Sequence, residues 1–265
     1  MSIKFIAVNY NGSGVTAKYV ESVRQFGDFA EIIIVDNASS ESDLKRLHSI
    51  SEEFPNMRLV CSEVNLGYFG GLNIGIVACD GAEDFVVVGN NDLEFDENFV
   101  KNLMHKVYPD DVFVVAPNVI TRDGYNQNPH CRNRVSGFRK LLYKVYFSSY
   151  FAAKFLSFAS RLLVKIRGGR DNSDDQQRGY IHMGIGACYV LLPRFFEKVG
   201  KLDDSVFLYG EEAMLAGQVM SAGGRIYYDP DLIVHHMESA TLSLVPSKQV
   251  YAFAKESYPK YRKYL

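Results

Sequence analysis

Short apolar runs, each followed by an amphipathic stretch, recur through the first 120 positions. Ile3–Val8, Glu31–Val35, Met57–Val60, Phe85–Val88 and Val112–Ala116 read as strands, rich in Val and Ile. Between them Val15–Phe26, Ser40–Ile50, Gly70–Cys79 and Glu97–Val107 read as helices, with Ser39 or Ser40 a candidate cap for the second. Strands alternating with helices at this spacing predict an α/β fold on a central, mainly parallel sheet flanked by helices.

The pattern then changes. Asn126 to Asn133 is polar and turn-rich, and from Phe138 to Arg170 Leu, Tyr and Phe alternate with Lys and Arg at roughly helical intervals. After a polar break at Asp171–Gln177, apolar periodicity resumes in GIGACYVLLPRFFEKVG. A helix through Ala222, a strand at Arg225–Tyr228 and a Tyr/Lys-rich amphipathic helix over Ser247–Tyr264 complete the reading. The organisation expected is one domain over 1–240, with a basic-aromatic helical insertion at about 130–172 and a helical tail at 241–265.

Composition narrows the class. A chain of 265 residues, 47% hydrophobic and 23% charged, can bury a sizeable core as an ordinary globular protein. Cys61, Cys79, Cys131 and Cys188 lie far apart without a C-x-x-C pair, which argues against a zinc site or a disulfide framework and for a reducing, cytoplasmic setting. The amino terminus runs straight into a strand, so no signal peptide is expected. No stretch approaches the ~20 apolar residues of a membrane-spanning helix.

Net charge is −2, but it is unevenly spread. Ten Lys or Arg and no acid fall between Gly124 and Arg170, leaving 19 basic against 31 acidic residues elsewhere. Such a segment suits peripheral contact with the inner face of a membrane through 132–170, a clamp for an anionic lipid-diphosphate acceptor, a solvated hairpin, or an oligomer interface. No nucleic-acid recognition motif accompanies it, so nucleic acid is not expected as a partner.

Candidate chemistry gathers where apolar runs end in polar side chains. In open α/β sheets ligands bind just outside the carboxyl ends of the strands. Asn9-Tyr10-Asn11-Gly12 follows the first strand; it leaves room for a flat ring, or is simply a strand-to-helix turn. Asp36, directly after IIIV, suits acceptance from a base N–H or a ribose hydroxyl, or caps the next helix. The Gly/Asn-rich segment from Asn65 through Gly67 to Asn73 and Gly75 offers close backbone approach and amides facing an anion, though tight packing explains it equally. Asn90-Asn91-Asp92 ends the run VVVG and could supply one hard oxygen to Mg²⁺ or Mn²⁺. His235-His236 after LIV could add a nitrogen ligand or bond a diphosphate. Glu211-Glu212 opens a helix, one carboxylate fit to act as general base and the other to hold the loop or serve as an N-terminal acid.

Taken together, VNYNG, IIIVDNASSE, NLGYFGGLNIGI, VVVGNNDLEFD, VGKLDDSVFLYGEEAML and GGRIYYDPDLIVHH resemble, in order, the motifs of family 2 inverting glycosyltransferases of the GT-A fold, near the bacterial rhamnosyl- and galactosyltransferases of surface-polysaccharide synthesis. The resemblance implies a Rossmann-like nucleotide-diphospho-sugar transferase with a UDP- or dTDP-linked donor, a saccharide or lipid-linked acceptor, and Mg²⁺ or Mn²⁺ as cofactor. It places Asn9, Tyr10, Asn11, Asp36, Asn65, Gly67, Asn73, Asn90 and Asn91 at the nucleotide sugar, and Asp92 and His236 at the metal. Glu212 takes the place of the catalytic base, with Glu211 beside it. Two departures stand out: Met214 and Gln218 replace the Asp and Arg that usually follow the acid pair. They motivate a non-catalytic nucleotide-sugar-binding relative as an alternative, with a nucleotidyltransferase third.

Overall fold

Strands β1 (Ile3–Asn9), β2 (Ala30–Asn37), β3 (Met57–Ser62) and β4 (Val86–Asn90) lie parallel in the order β3-β2-β1-β4. β1, β2 and β4 are buried on both faces, as crossover connections require, and that is why they read as unbroken Val/Ile runs, whereas β3 at the sheet edge is partly exposed. The computed structural model describes residues 3–54, 56–79, 84–166, 176–237 and 247–265, with backbone only for 161–166. Arg167, Arg170, most of the break at Asp171–Gln177 and the boundary at 240/241 lie outside the described residues.

Helices α1 (Ser13–Arg24), α2 (Glu41–Glu53) and α3 (Gly67–Ala78) make the crossovers. The small residues of α3 let it lie almost on the sheet: a Cβ on Gly75 would come within 2.3 Å of Ile6 Cγ2, and one on Gly71 within 2.9 Å of Val8. Such contact buries Phe69, Leu72 and Ile76 against Ile6, Ile33 and Val35, each large side chain contributing about 1.5–3 kcal/mol.

Beyond β4 the sheet becomes mixed. It continues through β5 (Leu93–Phe95), α4 (Phe99–Met104), β6 (Val112–Thr121), helices α5 (Gly137–Tyr146) and α6 (Tyr150–Ile166), β7 (Gly179–Ile181), β8 (Cys188–Leu191), α7 (Pro193–Lys198), α8 (Glu211–Ser221), β9 (Arg225–His236) and α9 (Lys248–Tyr261). The path β4-β8-β6-β9-β5 follows, with β7 also on β9. Two strands run longer than their apolar cores. β6 continues to Thr121 and β9 runs through Pro230 to His236, the two parallel with a shift of register after Pro117. Asp229 fixes that irregularity: buried, it takes the Tyr108 hydroxyl at 2.9 Å and the Lys106 ammonium at 3.2 Å. The extended end of β9 pairs with β5, setting Leu93 opposite His236.

Candidate active site

The turn between β1 and α1 is closed by its own side chains. Asn9, fully buried, donates from Nδ2 to Asp36 Oδ1, Ser39 Oγ and Asp43 Oδ2 at 2.8–3.1 Å, while its Oδ1 accepts from Gly12 N, Thr16 Oγ1 and Asn91 Nδ2. Asp36, 1% exposed, accepts also from Ser39 N. Each Asp36 oxygen thus accepts one bond from the protein. Asp43, on α2, takes both the amide and the hydroxyl of Ser13, and these bonds outweigh desolvation and hold its carboxyl below the ordinary value. Asn11 adopts φ 55° and accepts from Ser40 N at 2.8 Å, which leaves the Tyr10 ring exposed at the sheet edge.

Next to it opens a cleft of about 430 Å³. Tyr10, Asn37, Asn65, Gly67, Asn90 and Asn91 form one side. Asn37 organises this side, donating to Asn65 Oδ1 and Gly67 O at 3.0 Å and accepting from Leu66 N. Gly67 has φ +77°, and a Cβ there would stand 2.3 Å from Phe207 O, so the start of α3 is locked to the loop before α8. Asn73 lies away from the cleft and pins that loop from below, bonding Leu202 N and O at 2.9–3.0 Å and Asp204 Oδ2 at 3.1 Å. Phe207, Leu208, Gln249 and Phe253 supply the opposite wall.

At the inner edge of the cleft Asn90 reaches His236 Nε2 at 3.3 Å, and the same nitrogen stands 3.1 Å from Asp92 Oδ2. Gln127 Oε1 faces His236 Nδ1 at 2.8 Å. With Nδ1–H donating to Gln127, the Nε2 lone pair faces a carboxylate oxygen, an arrangement that calls for a proton or a cation between them. Asp92 Oδ1 is buried without a hydrogen-bond partner, a costly state for an ionised oxygen. Among the described residues no group of three or more His, Cys, Asp or Glu gathers to encage a metal. Asp92 and His236 nevertheless fit a divalent cation that takes its remaining ligands from phosphate and water, the usual manner of Mg²⁺.

The acid pair stands at the head of α8, after Tyr209 and Gly210 in left-handed conformations. Glu211 is buried, and burial first, then the charge of Glu212, pushes its carboxyl up to about 7. It accepts from the backbone of its own turn. Glu212 Oε1 instead takes the amide of Gly186 at 3.2 Å, and Gly186 O receives the Tyr68 hydroxyl at 2.8 Å. Tyr68 joins the parts. It lines the cleft, and burial above all holds its hydroxyl well above the ordinary value.

Four of the predicted residues besides Gly67 therefore line the cavity, Tyr10, Asn65, Asn90 and Asn91, while Asn11 only fixes the turn that carries Tyr10. Asp92, His236 and Glu212 do not line it but connect to lining residues, His236 to Asn90 and Glu212 to Tyr68 by way of Gly186, whereas Asn9, Asp36 and Asn73 act behind the wall. Sequence reasoning did not assign Asn37, Tyr68, Gln127 or the α9 residues Gln249 and Phe253. Asn37 adjoins Asp36 in the same motif, so a signal was present for it. The helix read as a tail is docked on the site: Ser257 Oγ bonds Leu208 O at 2.8 Å, and the Tyr261 ring covers Gly210. The two departures from the family pattern also find places. Met214 packs in the core, and Gln218 bonds Lys201 O at 2.7 Å and Asp203 N at 3.1 Å, bracing the loop that Asn73 holds.

Comparison with known proteins agrees with this layout. Residues 5–167 match the family model for glycosyl transferase family 2, more than half of the chain. A low-salt glycan biosynthesis hexosyltransferase of Haloferax volcanii is 26% identical over 185 residues, covering 69% of this chain and 51% of the relative. An N-acetylglucosaminyl-diphospho-decaprenol L-rhamnosyltransferase of Mycobacterium tuberculosis is 23% identical over 238 residues, 86% of this chain and 73% of that one. Among solved structures, a Pyrobaculum calidifontis mannosyltransferase in complex with GDP-Man and Mn²⁺ superposes with TM-score 0.58 at 15% identity, covering 98% of this chain and 62% of that one. GalNAc-T7 with UDP, GalNAc and Mn²⁺ gives 0.64 at 15% identity, covering 98% and 48%. The chain thus spans about half the length of the Haloferax relative and of GalNAc-T7. On the family match and this architecture, the chain belongs to glycosyl transferase family 2 and has the GT-A fold.

Proposed function

We propose that the protein transfers a sugar from a nucleoside-diphosphate sugar to a saccharide acceptor with inversion. The observation that carries this reading is the unpartnered Asp92 Oδ1 beside His236, at the edge of a cleft whose Tyr68 hydroxyl bonds Gly186 O while the amide of Gly186 holds Glu212. The exposed Tyr10 ring suits the base, and the Asn-rich wall suits ribose and diphosphate oxygens. Asp92 and His236 would hold Mg²⁺ or Mn²⁺, which when bound offsets charge developing on the departing diphosphate.

Glu212 is the base. Gly186 N–H orients its carboxylate, which accepts the acceptor hydroxyl's proton as that oxygen bonds the anomeric carbon and the carbon–diphosphate bond breaks. Glu211 shapes the turn: buried at the head of α8, it accepts from the backbone of that turn. The departures at Met214 and Gln218 bear on the core and the loop rather than on the acids, which favours catalysis over a retired binding relative.

A lipid-linked acceptor is supported by the decaprenol-linked substrate named for the mycobacterial relative, and a place in cell-surface polysaccharide synthesis rests on the motif resemblance alone. The direct test incubates the protein with UDP-, dTDP- and GDP-linked sugars and Mn²⁺ and follows nucleotide release. One donor class is expected to turn over slowly. Absence of both binding and release across the panel would remove the reading.

A further inference from the structure

The basic segment folds into the hairpin of α5 and α6, and its apolar faces point outward. On α5, Phe138, Leu141, Leu142 and Val145 fall at i, i+3, i+4 and i+7 and all are exposed. On α6, Phe151, Phe155 and Phe158 repeat the stripe, exposed by 83%, 71% and 63%. An ordinary surface helix turns such a stripe to the core. Here the inward contacts are made by aromatic residues instead: Phe147 stacks on Tyr258 of α9 at 4.4 Å between ring centres, and Tyr150 meets Tyr251 at 5.4 Å.

We propose that this face docks on an anionic bilayer surface. Arg139, Lys144 and Lys154 are exposed beside the stripes, in a stretch without one acidic residue, while the rest of the chain carries the excess of acids. A surface of anionic headgroups matches both features, apolar residues entering the interface and cations resting on the lipid charge. A second copy docking by the same face would oppose two acid-free basic surfaces. Helix α9 links the hairpin to the cleft: Tyr251 meets the hairpin and Phe253 lines the cavity. Docking thereby holds the cleft at a fixed distance from the lipid.

The experiment is co-sedimentation of the full chain with phosphatidylcholine vesicles, with and without phosphatidylglycerol, at low and high salt. It uses no sugar donor, so it succeeds or fails independently of the transfer reaction. Binding is expected on the anionic vesicles at low salt and should weaken with salt. The triple variant Phe151→Ser, Phe155→Ser, Phe158→Ser should bind at least ~10-fold more weakly, and Lys144→Glu with Lys154→Glu should lose about fivefold or more per position. Since every altered side chain is exposed, thermal unfolding should be unchanged, and the charge pair tests the proposal should the Phe variant fold poorly. Absence of low-salt binding, wild-type binding by both variants, or equal binding to neutral vesicles overturns it. So does a solution dimer that the Phe variant dissolves.

Discussion

The two sides of the cleft are built on opposite electrostatic principles. On the β1–β2 side every acid is satisfied by design of the turn: Asn9 alone links Asp36, Asp43, Ser39 and Asn91, and the network is complete before any ligand arrives. On the β4–α8 side one carboxylate oxygen is left without a partner and one carboxyl is buried next to another acid. Asp92 keeps the bare oxygen, and Glu211 is the buried acid, its carboxyl raised by burial and then by the charge of Glu212. Preorganisation suits recognition of an unchanging nucleotide. Unsatisfied charge suits the side where a cation and a proton must come and go.

That contrast can be broken most sharply at Glu212. Replacing it by Gln keeps an acceptor for Gly186 N–H but removes the base, so steady-state transfer should fall ~10²–10⁴-fold while calorimetric nucleotide affinity holds. Equal turnover by the variant would move the base elsewhere. On the preorganised side the comparable injury is steric. Gly67→Ala puts a Cβ against Phe207 O at a positive φ, and urea denaturation should show a loss of about 2–4 kcal/mol.

Glu211→Gln sharpens the comparison through pH. The native carboxyl, raised from 4.5 to about 7, keeps a proton that the unfolded chain has released. The folded state therefore binds more protons between about pH 4.5 and 7, and wild-type stability declines as pH rises through that window. Gln lacks this decline, so the variant should gain on the wild type with rising pH, by up to about 3 kcal/mol above neutrality. Unfolding curves at pH 5 and pH 8 measure it, and a difference independent of pH would remove the electrostatic strain. The smallest effect is expected at Phe253→Ala, which trims the α9 wall. KM for the donor should rise ~2–10-fold with kcat little changed, whereas an unaltered KM would detach α9 from the donor side.

Much of this was readable in the chain because its causes are local. Parallel strands covered on both faces must be apolar throughout, so IIIV and VVV announce themselves, and the polar residues closing them mark the ligand edge. The acid pair is equally visible as a helix start. What escaped depends on distant partners. β5 has three residues and exists because β9 runs on past Pro230, which a single apolar count cannot show. Gln127 matters only through His236, more than a hundred positions away. The closing helix looked like a tail since its Tyr and Lys pattern is amphipathic in isolation, and its burial on Gly210 and Leu208 is a tertiary fact. Asp36 was visible as a strand-end acid, but the bonds it takes from Asn9 and Ser39 were not.

The most direct measurement titrates the donor's nucleoside diphosphate into wild type, Asp92→Asn and Glu212→Gln by calorimetry, with and without Mn²⁺. Affinity should rise with Mn²⁺ in the wild type and in Glu212→Gln, and the cation should add nothing in Asp92→Asn. Equal enhancement by Mn²⁺ in all three proteins would contradict the assignment of Asp92, and with it the single shared site.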